Sequence, residues 1–180
     1  MASSFSKSNA IILIGYMGSG KSTVGRMLAQ KHNLSFQDLD DIIANNAGTT
    51  IPKLYVEKGA KAFRALEHEA LKNALGTTAK KVISLGGGAP CYYDNINLIL
   101  AATPNVFYLK ASHKTLAQRL FAEINERPLI AHAKTVSDLQ SFIAKHLFER
   151  QSFYSQANQL INVDDKSPEE VVTEIGKLIQ

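Results

Sequence analysis

Short apolar runs recur along the chain, each followed by a longer stretch of mixed apolar and polar positions. Residues 10–15, "AIILIG", carry no charge and read as a buried strand, with a helix following over residues 22–31. Ser35–Asp38 reads as a short second strand, and Ile51–Leu75 as a long helical region interrupted near Gly59. Residues 81–85, "KVISL", predict a third strand that stops at three glycines. Residues 105–109, "NVFYL", and 159–163, "QLINV", predict a fourth and a fifth. Short apolar runs separated by helices predict β-α-β units around a buried parallel sheet. Right-handed crossovers then place helices on both faces of that sheet. The last helix has a readable start: Ser167 can cap it, Pro168 suits its first turn, and Glu170 completes a Ser-x-x-Glu capping box. Residues 122–135, around Asn125, Pro128 and His132, read as a loose stretch, and no repeat or interdomain linker is apparent.

Composition narrows the class. The chain has 180 residues, 45% hydrophobic and 20% charged, which suits one globular domain and excludes collagen-like or disordered character. The net charge is +4, but the basic residues are scattered, which favours small anionic ligands over nucleic acid. The single cysteine, Cys91, permits no intrachain disulfide, fits a reducing compartment, and reads as a small apolar residue. The N-terminal "MASSFSK" is polar with no evident signal peptide, and the run at 11–14 is far too short to span a bilayer. The chain reads as soluble and cytoplasmic. The histidines, His32, His68, His113, His132 and His146, lack metal-ligand spacing and read as surface or packing residues.

Chemistry enters with "GYMGSGKST", Gly15 to Thr23, directly after the first strand. Gly15 to Ser22 matches G-x-x-x-x-G-K-[ST] in the strand-then-helix setting that the motif requires. Glycines let backbone N–H groups converge on phosphate oxygens, and the following helix points its positive end at the anion. The Lys21 ammonium can reach the β- and γ-phosphates, and the Ser22 hydroxyl is a candidate Mg2+ ligand. The loop alone does not separate kinases from other nucleotide-binding proteins.

Further residues point to an acceptor. "FQDLD" puts Asp38 and Asp40 at the end of the second strand, where ligands gather in open α/β sheets. They suit metal handling and activation of a hydroxyl, or else the capping of a helix. "AFRALE" puts Arg64 and Glu67 on one helix face, and spacing alone favours a surface ion pair of little energetic value. "LGGGAP" supplies Gly86, Gly87 and Gly88, more glycine than a turn needs, so a ligand is expected close to this backbone. "ERPLI" brings Arg127 in the loose stretch, and "ERQSFY" brings Arg150 late in a helix.

In the order "GYMGSGKST", "FQDLD", "FRALE", "SLGGGAP", "RPLI", with "RQSFYSQA" before the last strand, the chain resembles the shikimate kinases from end to end. The resemblance implies an α/β P-loop fold of the nucleoside-monophosphate-kinase type. It has five parallel strands in order 2-3-1-4-5 flanked by helices, an acceptor-binding region at about 38–70 and a mobile lid at about 122–135. It implies ATP-dependent phosphorylation of the 3-hydroxyl of shikimate to shikimate 3-phosphate, on the route to chorismate and the aromatic amino acids. It implies Mg2+ with the ATP, small-molecule partners only, no nucleic acid, no membrane, and a monomer.

By the same resemblance, Gly18, Ser19, Gly20, Lys21, Ser22 and Thr23 hold the ATP phosphates, with Arg119 and Pro168 flanking adenine. Asp40 binds the acceptor hydroxyls and serves as base, while Arg64 and Arg150 clamp the carboxylate. Glu67 orients Arg64, and Gly86, Gly87 and Gly88 wall the pocket. Arg127 contacts the transferring phosphate from the lid, and Asp38 is the outer-shell partner of the metal that Ser22 ligates. The chain departs from the family pattern at Ala60-Lys61, where Gly-Glu is usual before Phe-Arg, and at Gln151, where many relatives have Pro. Two other readings stand beside this one: a related small-molecule kinase such as a gluconate kinase, and a regulatory nucleotide-binding module without kinase activity.

Overall fold

A computed structural model describes residues 9–124 and 127–179. Of the stretches singled out above, residues 1–7, Asn125 and the Glu126 of "ERPLI" lie outside the described residues. Five strands form a parallel sheet: β1 (Ile11–Ile14), β2 (Ser35–Asp38), β3 (Lys81–Ser84), β4 (Val106–Lys110) and β5 (Gln159–Asn162). Their order is β2-β3-β1-β4-β5, the order the resemblance implies. The helices are α1 (Lys21–Lys31), α2 (Leu39–Ala47), α3 (Ile51–Leu75), α4 (Asn95–Ala102), α5 (His113–Phe121), α6 (Val136–Tyr154) and α7 (Pro168–Leu178).

Alternation along the strands builds two cores. Ile11, Leu13, Val82, Phe107, Leu109 and Ile161 pack on one face, toward α1, α5 and α7. Ile12, Ile14, Ile83, Val106 and Tyr108 pack on the other, toward α2, α3 and α4. Successive side chains on a strand point to opposite faces, so β1, buried along its whole length, feeds both cores. The chain leaves β1 for β2 and β3 on one side and reaches β4 and β5 on the other. That reversal leaves a crevice at the carboxyl end of β1.

The capping box at Ser167 and Glu170 forms as predicted, with Pro168 opening α7. A second box, Thr135 with Asp138, starts α6 and was not anticipated. The break in α3 falls at Gly59, at φ 76° and ψ 167°. One placement changes: β2 stops at Asp38, and Asp40 lies in the first turn of α2 rather than at the strand end. Asp38 caps that helix, its carboxylate accepting from the Asp40 N–H. Within the stretch expected to be loose, Ile130 and Ala133 are buried in the core beside α5 and α6. Among the described residues, no helix is long and apolar enough to cross a membrane.

Gly15 leaves β1 with φ 144°, and a Cβ there would lie 2.6 Å from the Leu109 carbonyl oxygen of β4. Neither the sheet nor that dihedral can yield cheaply. Gly15→Ala is expected to lower unfolding free energy by at least about 2 kcal/mol, read from urea denaturation.

Candidate functional site

The turn that leaves β1 wraps around the end of its own lysine. Lys21 is 8% exposed. Its ammonium donates to the carbonyls of Gly15 at 2.8 Å and Tyr16 at 2.9 Å. Burial lowers its pKa to about 8, with Asp40 and Asp38 pulling the other way. Gly20 caps α1 in the left-handed region with no side-chain cap, so the first N–H groups of the helix remain for a ligand. The Ser19 hydroxyl is buried with no hydrogen-bond partner among the described residues, a donor fit for an anion's oxygen.

Asp38 uses both carboxylate oxygens. Oδ1 accepts from Asp40 N–H, and Oδ2 accepts from the Ser22 hydroxyl at 2.6 Å. The capping alternative for Asp38 is realised, and its second oxygen holds the Ser22 hydroxyl. Drawing the Ser22 proton toward Asp38 leaves hydroxyl lone pairs for a hard cation. One hydroxyl and one carboxylate suit Mg2+, which takes few protein oxygens and keeps waters and phosphates. The residues present fit that ion.

These groups line a cleft of about 610 Å³ with Gly18, Gly20 and Thr23. Asp40, Gly86 and Gly87 close one side of it, and Arg119, Arg127 and Pro168 line it elsewhere. Arg119 donates to the Gly18 carbonyl at 3.3 Å. Arg127 forms two bonds to Glu123 Oε2, at 2.9 and 2.6 Å. Glu123 and Lys166 also line this cleft, and sequence reading assigned neither.

Arg64, Glu67, Gly88 and Arg150 do not line the cleft; Glu67 adjoins it through Gly86, Arg64 lies against Gly88, and Arg150 lies over Tyr16. A Cβ on Gly86 would lie 2.8 Å from Asp40 Oδ1 and 3.1 Å from Glu67 Oε1. Burial, then the neighbouring Asp38, raises the pKa of Asp40, while Lys21 and Arg64 oppose the shift. Burial likewise raises that of Glu67 against the pull of Arg64.

The surface reading of the Arg64–Glu67 pair is overturned. The side chains are 15% and 1% exposed, with Arg64 Nη1 donating to Glu67 Oε2 at 2.5 Å. The guanidinium lies against Gly88, where a Cβ would come within 2.5 Å of Nη2. Its Nε is buried with no partner among the described residues. Spacing named the helix face correctly but could not show that a distant loop covers it.

Arg150 lies over the Tyr16 ring at 5.4 Å, which ties α6 to the phosphate loop. The Tyr16 hydroxyl is 3.1 Å from His146 Nδ1. Tyr154, one turn past Arg150, donates its hydroxyl to the Gly87 carbonyl and is fully buried. "RQSFY" carried the signal for Tyr154, since an aromatic four positions on shares the face of Arg150. Burial pushes the Cys91 thiol up to about 11, although Arg150 and Arg64 pull it down, which suits packing rather than reactivity.

A phosphate loop leaving the central strand of a 2-3-1-4-5 parallel sheet defines a P-loop kinase fold. The sequence profile described as "Shikimate kinase" matches residues 17–180. The chain is 40% identical over 169 residues to the shikimate kinase of Flavobacterium psychrophilum, covering 94% of this chain and 98% of that protein. Its fold matches the crystal structure of shikimate kinase from Bacteroides thetaiotaomicron with a TM-score of 0.85 at 35% identity, over 94% and 97% of the two chains. It also matches shikimate kinase from Acinetobacter baumannii, solved in complex with shikimate, with a TM-score of 0.86 at 28% identity, over 97% and 94%. The chain belongs to the shikimate kinase family.

The buried lysine sets a pH dependence. Below about 8 both folded and unfolded chains hold the Lys21 proton, and the burial cost is complete. Between about 8 and the ordinary 10.5 the unfolded chain binds more protons, so this group makes stability rise with pH. Without ligand, the stability of the parent relative to Lys21→Met is expected to increase across that window. Paired urea titrations at stepped pH measure it, and a flat or falling difference contradicts it.

Proposed function

We propose that the chain transfers the γ-phosphoryl group of ATP to the 3-hydroxyl of shikimate, giving shikimate 3-phosphate and ADP toward chorismate. The observation that carries this reading is the place of Asp40. It borders the phosphate cleft, faces Gly86 beside Glu67, and feels both Lys21 and Arg64. Donor and acceptor halves therefore meet at one carboxylate.

A small acid with hydroxyls needs cations at one end and acceptors at the other. Arg64 and Arg150 take the carboxylate. Glu67 occupies Nη1 of Arg64, so the edge bearing the unpartnered Nε remains for a bidentate contact. Asp40 accepts the proton as the hydroxyl oxygen bonds to phosphorus and the bond to the ADP oxygen breaks. Burial makes Asp40 a stronger base than an exposed carboxylate.

The Lys21 ammonium and Arg127, freed from Glu123, stabilise charge on the transferring group. Ser22, with Asp38 behind it, would hold Mg2+ together with ATP, and the ion would supply charge neutralisation on the phosphates. Gly18 to Thr23 cradle those phosphates, and Arg119 and Pro168 flank the base. Closure of residues 122–135 as a lid excludes water. We place this activity in a cytoplasmic monomer that acts on small molecules.

Shikimate-dependent ADP release in a coupled assay is the test. Turnover of gluconate instead, or ATP binding without acceptor-dependent release, would overturn the reading. Asp40→Asn is expected to lower kcat by about 100-fold or more while leaving ATP affinity unchanged. Arg64→Ala should weaken shikimate binding by about 2–5 kcal/mol, with the KM for ATP nearly constant.

A further inference from the structure

One aromatic ring on the acceptor side is left without a role by the scheme above. Tyr92 follows the short 3-10 turn Ala89–Cys91, which continues directly from Gly88. Its ring lies 4.3 Å from the Arg64 guanidinium carbon, nearer than the Phe63 ring at 5.1 Å. Glu67 holds one guanidinium nitrogen, and a single bond does not by itself set the plane. A bidentate contact needs that plane set, because both N–H groups must meet both carboxylate oxygens. A ring face is a surface on which a guanidinium plane stacks favourably.

The loop bearing Tyr92 is itself held in place. Asn95, wholly buried, donates from Nδ2 to the Ala89 carbonyl at 2.7 Å and from its backbone N–H to the Tyr92 carbonyl at 3.3 Å. His68 Nδ1 lies 2.6 Å from Asn95 Oδ1. His68 sits one turn beyond Arg64 on α3, so helix and loop are joined at 68 with 95 and again at 64 with 92. Tyr93 stacks on the His68 ring at 4.9 Å and steadies the same junction.

We propose that Tyr92 is a positioning residue for acceptor recognition, its ring face setting the plane of the Arg64 guanidinium so that the Nε edge meets the substrate carboxylate. The proposal rests on the acceptor assignment made above. Tyr92 is 43% exposed, so replacing it leaves the core intact.

The test compares Tyr92→Leu, which keeps bulk without a π face, with Tyr92→Phe, which keeps the ring. Tyr92→Leu should raise the KM for shikimate about 3- to 30-fold. The KM for ATP and kcat should stay within about twofold. Tyr92→Phe should match the parent. In an Arg64→Ala background, Tyr92→Leu should cause no further loss in kcat/KM, because the ring acts only through the guanidinium.

An undiminished loss in that background, or equal loss with Phe and Leu, would overturn the proposal. If the parent turns over no shikimate, the acceptor reading falls first. The pairing is then decided by urea unfolding, without ligand, of the parent, Tyr92→Leu, Arg64→Ala and the double variant. There, non-additivity of about threefold or more in the folding equilibrium is expected, and strict additivity overturns it.

Discussion

Keeping positive charge inside the protein, ready for an anion that comes and goes, is the constraint around which the carboxyl end of the sheet is built. Lys21 meets it with two loop carbonyls, whose dipoles hold the ammonium without neutralising it. Those carbonyls belong to Gly15 and Tyr16, so the lysine depends on the chain turning sharply off β1. Arg64 meets the same constraint with a carboxylate, Glu67, that is more buried than the arginine itself. Removing either partner from such a pair leaves an uncompensated buried charge, which costs more than the pair contributes when whole. Asp40 stands between the two cations, which oppose the rise in its pKa that burial and the neighbouring Asp38 impose.

What the sequence revealed is what depends on near neighbours. The strands, the phosphate loop and the Ser167 capping box each follow from residues a few positions apart, and each appears in the structure. The Arg64–Glu67 pair shows where this stops. Its spacing places both side chains on one face, but burial comes from Gly86 and Gly88, some twenty residues away. Asp40 falls in a helix rather than at the strand end because Asp38 ends the strand and caps the helix in a single residue. The sequence does not show Glu123 as partner of Arg127, beyond a four-residue spacing, or Gly87 as partner of Tyr154, which lies 67 residues away.

Helix α6 links the two halves of the site. Tyr154 bonds the glycine strip of the acceptor side, Arg150 lies over Tyr16 of the phosphate loop, and His146 meets the Tyr16 hydroxyl. Three successive turns of one helix thus contact both the glycine strip and the phosphate-loop tyrosine. Shared contacts of this kind are where substitutions stop being additive.

The break at Gly59 has a consequence for how the acceptor region can vary in length. In an unbroken helix, inserting one residue rotates everything beyond it by about 100° relative to the preceding turns. Phe63, Arg64 and Glu67 would then leave the face that meets the glycine loop. At Gly59 the backbone leaves helical geometry, and beyond the adjoining chain nothing lies within 4 Å of where a Cβ would sit. Phase is therefore not transmitted from residues 51–58 to residues 60–75. The first part of α3 can gain or lose residues while the charged face beyond the break keeps its register.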